Sequence, residues 1–150
     1  MPVEDNMQLM RRWFHEVWND GRIQTVYDLL ASDGVARGQR NAETEIRGPE
    51  QFAQFVSEIR GAFPDMKLQI EGIFGAEDKV VVRWSATMTH SGVALGIPAT
   101  GKLVRSRGIS VATIYKGKII EGWDNWDQLG MLMQIGAYTH PESTMLAKSA

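Results

Sequence analysis

The chain of 150 residues contains no cysteine. This excludes a disulfide framework, a thiolate metal site, a cysteine nucleophile and a thiol redox relay together. A run of lysine and arginine is also missing. The 16 basic side chains face 18 acidic ones, so the basic footprint that a nucleic-acid backbone demands is absent. No stretch approaches the ~18 consecutive apolar residues of a membrane span. The opening Met-Pro-Val-Glu-Asp-Asn is acidic where a secretion signal would be basic. The expectation is a cytoplasmic protein with neither nucleic acid nor membrane as partner. His15 and His140 lie in distant segments and belong to no metal-binding motif, so no metal is expected.

What is present is enough for one core. With 43% apolar side chains, a chain of this length should bury roughly 68–70% of its unfolded surface as a single domain, residues 1–150. Eight methionines and five tryptophans are an excess for this size. Such large, adaptable side chains serve either as additional core or as the walls of a ligand cavity.

The hydrophobic period divides the chain in two. Met7, Met10, Phe14, Val17 and Trp18 recur at helical spacing within residues 4–19, which Asn19-Asp20-Gly21 should stop. A short helix is expected over 23–31. Residues 32–47 are polar and permit at most a short strand. Pro49 at the first helical position and the stripe Phe52, Phe55, Val56, Ile59 and Phe63 mark a third helix, ended by Pro64. The period then changes. Strands are expected over 67–75, 80–90, 103–115 and 118–126, the last two joined by the Lys116-Gly117 turn. A final helix follows Asp127, and the tail from Ala137 reads as loose.

Helices followed by an antiparallel meander, without βαβ alternation, indicate an α+β fold whose curved sheet packs one face on the helices. If Asp124 points inward, Ile120 and Gly122 share its face, leaving Ile119, Glu121 and Trp123 outside with Ile109, Val111, Thr113 and Tyr115 of the preceding strand. A sheet apolar on both faces is usually covered on both. A homodimer packed sheet to sheet is therefore expected.

Asp124 interrupts an apolar, aromatic strand end. A buried carboxylate finds donors or has its pKa raised, and in the second case becomes a general acid/base near neutrality. The alternative is an exposed strand end or a helix cap. Asp127 fits a helix N-cap better than chemistry. His90 opens the long connection 91–101, where it is either an oxyanion donor or proton carrier, or a histidine tied to the loop backbone. Arg105 and Arg107 share one strand face and suit either an acidic substrate or solvent. Ser110 lies in no nucleophile elbow.

The order Trp18-Asn19-Asp20-Gly21, Arg47-Gly48-Pro49-Glu50, Ala62-Phe63-Pro64-Asp65, Thr89-His90-Ser91-Gly92, Gly96-Ile97-Pro98-Ala99-Thr100-Gly101 and Gly117-Lys118-Ile119-Ile120-Glu121, with Asp124, Asp127 and Gln134-Ile135-Gly136, resembles the SnoaL-like polyketide cyclases over about residues 7–136. The resemblance implies the nuclear-transport-factor-2-like fold: a curved sheet wrapped around N-terminal helices, a cystatin-type α+β barrel whose cone holds an internal pocket. It also implies intramolecular aldol condensation without metal or organic cofactor, on a small hydrophobic or aromatic carbonyl substrate. Asp124, seven residues after Gly117, matches the family's acid/base position. His90 then becomes a second catalytic candidate. Trp13, Trp18, Trp84 and Trp126 are candidate walls, and Ser110 and Arg37 candidate substrate contacts. The chain departs from the family's pattern at two places: Ser110 stands where a histidine is usual, and Arg37 or Ala36 is nearest to an expected asparagine or histidine. Two other readings use the same fold. One is a non-catalytic module for ligand binding or dimerisation. The other is a limonene-type epoxide hydrolase, which needs Asp-Arg-Asp around a water, and the strand carrying Arg105 and Arg107 offers no aspartate.

Overall fold

A computed structural model describes residues 2–94 and 96–139. Most of the expected loose tail, with His140, lies outside the described residues.

Helix α1 (Val3–Trp13) begins with Glu4 and Asp5 and ends with Arg11 and Arg12, charges that complement its dipole. The expected helix over 4–19 does not stay α to its end. Phe14–Asn19 winds as a π-helical segment, closed by the Asp20 N–H on the His15 carbonyl five residues back at 3.0 Å. This segment buries Phe14, Val17 and Trp18. Asn19 then ties it to an edge of the sheet: its amide donates to the Leu68 carbonyl at 2.9 Å and accepts from the Leu68 N–H at 2.6 Å. Both backbone groups belong to an edge strand and have no strand neighbour on that side. Asn19→Ala is expected to lower stability by about 1–3 kcal/mol, seen as a lower melting temperature, because it strips two backbone groups of their partner.

Helix α2 (Ile23–Leu29) passes directly into strand β1 (Leu30–Arg37), and β2 (Glu45–Arg47) follows. The helix expected through Ala31 stops two residues early. The segment read as offering at most a short strand supplies eight residues of β1 and three of β2. The reason is tertiary: β1 lies parallel to β6 (Lys118–Trp126), with Ala36 beside Gly122, and its own alternation is broken by a register shift between Leu30 and Val35. The sheet is accordingly mixed, and its other pairings are antiparallel.

Helix α3 (Gly48–Ala62) carries Pro49 in its first turn, with the Gln51 side chain accepting the Arg47 N–H at 2.9 Å. Its buried Phe52 and Phe55 meet Trp13 and Trp18, with ring centroids 5.1 Å apart for Trp13–Phe52 and 6.0 Å for Trp18–Phe55. β3 (Lys67–Ala76), β4 (Lys79–Thr89), β5 (Leu103–Tyr115) and β6 complete a curved, unclosed sheet of order β2-β1-β6-β5-β4-β3. Lys116 and Gly117 both have positive φ, 49° and 75°, as a two-residue type I′ hairpin turn requires. Asp127 caps α4 (Gln128–Gln134) by accepting the Gly130 N–H at 2.8 Å.

The β5–β6 pairing shifts between Thr113 and Ile114, so Ile114 faces Ile119 while Thr113 faces Glu121. This bulge corrects the expected faces: Ile119 is buried in the core and Ile120 is turned out to solvent. Past the bulge, Gly122 and Asp124 hold the inward parity. Outside, Ile109, Tyr115 and Trp123 are about half exposed or more, at 48%, 60% and 51%.

Candidate active site

Register places the inner-face side chains of the sheet in rows. Ala86 lies beside Ser106; Trp84, Gly108 and Trp126 form the next row; Val82, Ser110 and Asp124 the next; Ala112, Gly122 and Ala36 the last. The third row holds the carboxylate. The Ser110 hydroxyl donates to Asp124 Oδ1, and the Trp84 indole N–H donates to Ser110 Oγ at 3.1 Å. Since that oxygen already accepts from Trp84, its single proton is left for Asp124.

Two glycines make this arrangement sterically feasible. The Trp84 indole lies across Gly108, where a Cβ would overlap the benzo ring. Gly38, at φ 78°, lies against the backbone carbonyl of Asp124, and a Cβ there would strike that oxygen. The chain reverses at Gly38 and turns Gln39 inward. Gln39 is 8% exposed. Its carbonyl is held by the Trp126 indole N–H at 2.9 Å and the Gln128 amide at 3.2 Å, and its side chain reaches the Asp124 carboxyl.

Burial pushes the Asp124 carboxyl up from its ordinary 3.8 to about 6, against the opposing hydrogen bonds from Ser110 and Gln39. The residue as a whole is only half-buried, because it forms part of the wall of two cavities. The first encloses about 530 Å³ of empty space, part of it open to solvent, and is walled by Trp18, Phe55, Trp84, Trp126, Met66 and Met88. The second, about 440 Å³ of empty space that likewise includes open solvent, lies on the other side of Asp124 against Trp13, Phe52 and Ile119. Small side chains create the room: Ala86 and Ser106 floor the first, and Ala36, Gly122 and Ala112, side by side on three strands, floor the second.

Of the residues expected from the sequence, Trp18, Trp84, Trp126, Trp13 and Ser110 come together around Asp124. His90 does not. It follows β4 on the Trp84 face, six residues on and so roughly 20 Å away. There its ring packs on Phe63, at 5.5 Å between centroids, and its Nδ1 meets Thr100 Oγ1 at 3.0 Å and the Thr100 N–H at 3.3 Å. It thus fastens the 91–101 connection behind the Phe63 wall. Arg37 is likewise outside, bonded to Glu121 at 2.6 Å and Glu45 at 3.3 Å with its guanidinium 5.1 Å over Trp123. Gln39, two residues on, takes the inward place that sequence reasoning gave to Arg37 or Ala36. The only local signal for it was Gly38. Arg105 and Arg107 are exposed on the outer face. Among the described residues no arginine lines either cavity, so the Asp-Arg-Asp arrangement of an epoxide hydrolase does not form. No three His, Asp or Glu side chains converge as metal ligands among the described residues.

The sequence has relatives, and the fold has counterparts among solved structures. The chain is 31% identical over 136 residues to aklanonic acid methyl ester cyclase DauD of Streptomyces sp. (strain C5), covering 89% of this chain and 83% of that protein. It is also 31% identical over 136 residues to aklanonic acid methyl ester cyclase DnrD of Streptomyces peucetius, covering 89% and 92% of the two chains. A solved structure from Jannaschia sp. CCS1, described as a SnoaL-like polyketide cyclase, superposes with a TM-score of 0.83 at 24% identity, over 93% of this chain and 97% of that one. The sequence model of the SnoaL-like polyketide cyclases matches residues 8–135, from α1 through α4. With matching sequence and a shared fold across nearly the whole described chain, the protein belongs to the SnoaL-like polyketide cyclase family.

Proposed function

We propose that the protein closes a ring by intramolecular aldol condensation on a polyketide-like carbonyl ester, with Asp124 as general acid/base. The observation that carries this reading is a carboxylate set in the wall of an aromatic cavity and hydrogen-bonded by Ser110, where burial pushes it up to about 6. At neutral pH it is mostly ionised yet more basic than a solvated carboxylate. It takes a proton from a carbon flanked by two carbonyl groups. The resulting enolate carbon bonds to a ketone carbon of the same molecule, and Asp124 returns the proton to the new alkoxide, so the carboxylate is regenerated. The cavity holds the two carbons together, which converts a bimolecular encounter into a unimolecular step. Ser110 takes the place of a histidine as the orienting group and is itself aimed by Trp84. The test is incubation with aklanonic acid methyl ester, the compound in the names of the two cyclase relatives, with product followed by chromatography. Ring closure by the wild type and its loss in Asp124→Asn are expected. Equal turnover by both would remove Asp124 from the mechanism.

We also propose that two copies pack through the outer sheet face. Ile109, Tyr115 and Trp123 are exposed apolar side chains on the outer face of β5 and β6, alongside the exposed Arg105 and Arg107. Ile109→Lys should convert a dimer to a monomer in sedimentation velocity without changing the melting of the isolated fold. A wild-type monomer would remove the proposal.

A further inference from the structure

Ser106 is 7% exposed, and its hydroxyl has no hydrogen-bond partner in the protein. Most buried side-chain hydroxyls are partnered, so one left unsatisfied within a binding cavity calls for an explanation. It faces the first cavity, on the same side of β5 as Ser110. The two lie four positions apart, about 13 Å along the strand. Between them stands the row Trp84, Gly108, Trp126, in which the Trp84 indole lies over the Gly108 backbone with Trp126 beside it. From the helix side the cavity wall is Phe14, Trp18, Phe55, Ile59 and Phe63, none of which hydrogen-bonds Ser106. The cavity thus has a hydrogen-bonding point beyond a flat aromatic wall, at the far end of that wall from Asp124.

We propose that Ser106 is a specificity anchor: it hydrogen-bonds a carbonyl or hydroxyl oxygen at the end of a planar fused-ring ligand remote from the carbon that Asp124 deprotonates. The assignment deepens the function proposed above and rests on it for the place of the reacting carbon. A site built to hydrogen-bond a substrate oxygen rejects the analogue that lacks it, since the protein group is then left buried and unpaired. Ser106 therefore selects ring systems oxygenated at both ends over those oxygenated at one.

The test needs no turnover. Binding of 2,6-dihydroxynaphthalene and of 2-naphthol is measured by calorimetry. The single hydroxyl of 2-naphthol takes the Asp124 carboxylate, the stronger acceptor. Wild type should then prefer the diol by about tenfold, the worth of one good buried hydrogen bond. Ser106→Ala should reduce this preference to the statistical advantage of a symmetric diol and leave 2-naphthol affinity unchanged. Its melting temperature should stay level or rise, because an unsatisfied hydroxyl is removed. A retained preference in the variant, equal weakening of both probes, no preference or no binding in the wild type, or a lower melting temperature would each overturn the assignment. Neither probe carries an acidic carbon, so failure of the acid/base role in the Asp124→Asn turnover assay leaves this result standing, and the two outcomes stay separate.

Discussion

Replacing Asp124 with asparagine is expected to slow ring closure by about 10²–10⁴-fold, the usual worth of a positioned general acid/base, and to stabilise the protein at neutral pH. Both effects have one origin. Folding raises the carboxyl from 3.8 to about 6, so the folded chain holds this proton more tightly than the unfolded chain does. The resulting stabilisation is complete below the unfolded pKa and is lost as the pH rises through about 6. Above that point the buried charge opposes folding by up to about 3 kcal/mol, at ~1.36 kcal/mol per unit. Solvent reaching the cavity should bring this to about 1–3 kcal/mol. Asparagine keeps the shape and the hydrogen bonds but cannot ionise. Its melting temperature should match that of the wild type near pH 4 and exceed it at pH 7. Turnover by the wild type should climb about tenfold per pH unit below 6 and level off above it, since the ionised form abstracts the proton. A variant whose advantage over the wild type is no larger at pH 7 than at pH 4 would show that the carboxyl is not desolvated.

The second large effect is expected at Gly108, a residue with no chemistry of its own. Alanine there places a methyl group into the Trp84 benzo ring. The indole must move, and with it goes the N–H that holds Ser110 Oγ at 3.1 Å. Overpacking of this kind costs about 1–3 kcal/mol, and the lost hydrogen bond about 1 kcal/mol more. Gly108→Ala should lower the melting temperature by roughly 4–16 °C, at ~2–4 °C per kcal/mol for a domain of this size. It should also depress turnover, because Ser110 is released from its aim at Asp124. A phenylalanine at position 84 lacks the ring atoms that clash. In a Trp84→Phe/Gly108→Ala cycle the two losses should therefore be less than additive. Full additivity would mean that the ring does not rest on the glycine.

Several of these features are legible from short-range pattern. Helix α3 announces itself through Pro49 and the Phe52, Phe55, Val56 stripe, the hairpin through Lys116-Gly117, and the start of α4 through Asp127. Each is decided within a few residues by backbone sterics or a single cap. Trp84 and Trp126 were legible as candidate walls from the tryptophan excess, and strand register then turns both toward the first cavity. The sites where the reading failed share a cause. β1 has little pattern of its own and becomes a strand because β6 offers it a parallel edge. The bulge opposite Thr113 flips Ile119 and Ile120 between faces while sparing Asp124, and no residue there signals the extra position. Arg37 turns outward because Glu45, opposite it on β2, and Glu121, distant in sequence, both meet it there. Gln39 turns inward because the backbone of Asp124 leaves room only for Gly38.

The sequence by itself determined the α+β class, the family, the cysteine-free chemistry and the carboxylate at position 124, because composition, period and ordered short motifs are properties of the chain. Only the tertiary structure decided what surrounds that carboxylate. Its raised pKa, its contacts with Ser110 and Gln39, the Trp84 indole over Gly108 and the unsatisfied Ser106 all depend on desolvation and on approaches between distant strands. Those are fixed by strand register and by where small side chains leave space, and neither is set until the sheet has assembled.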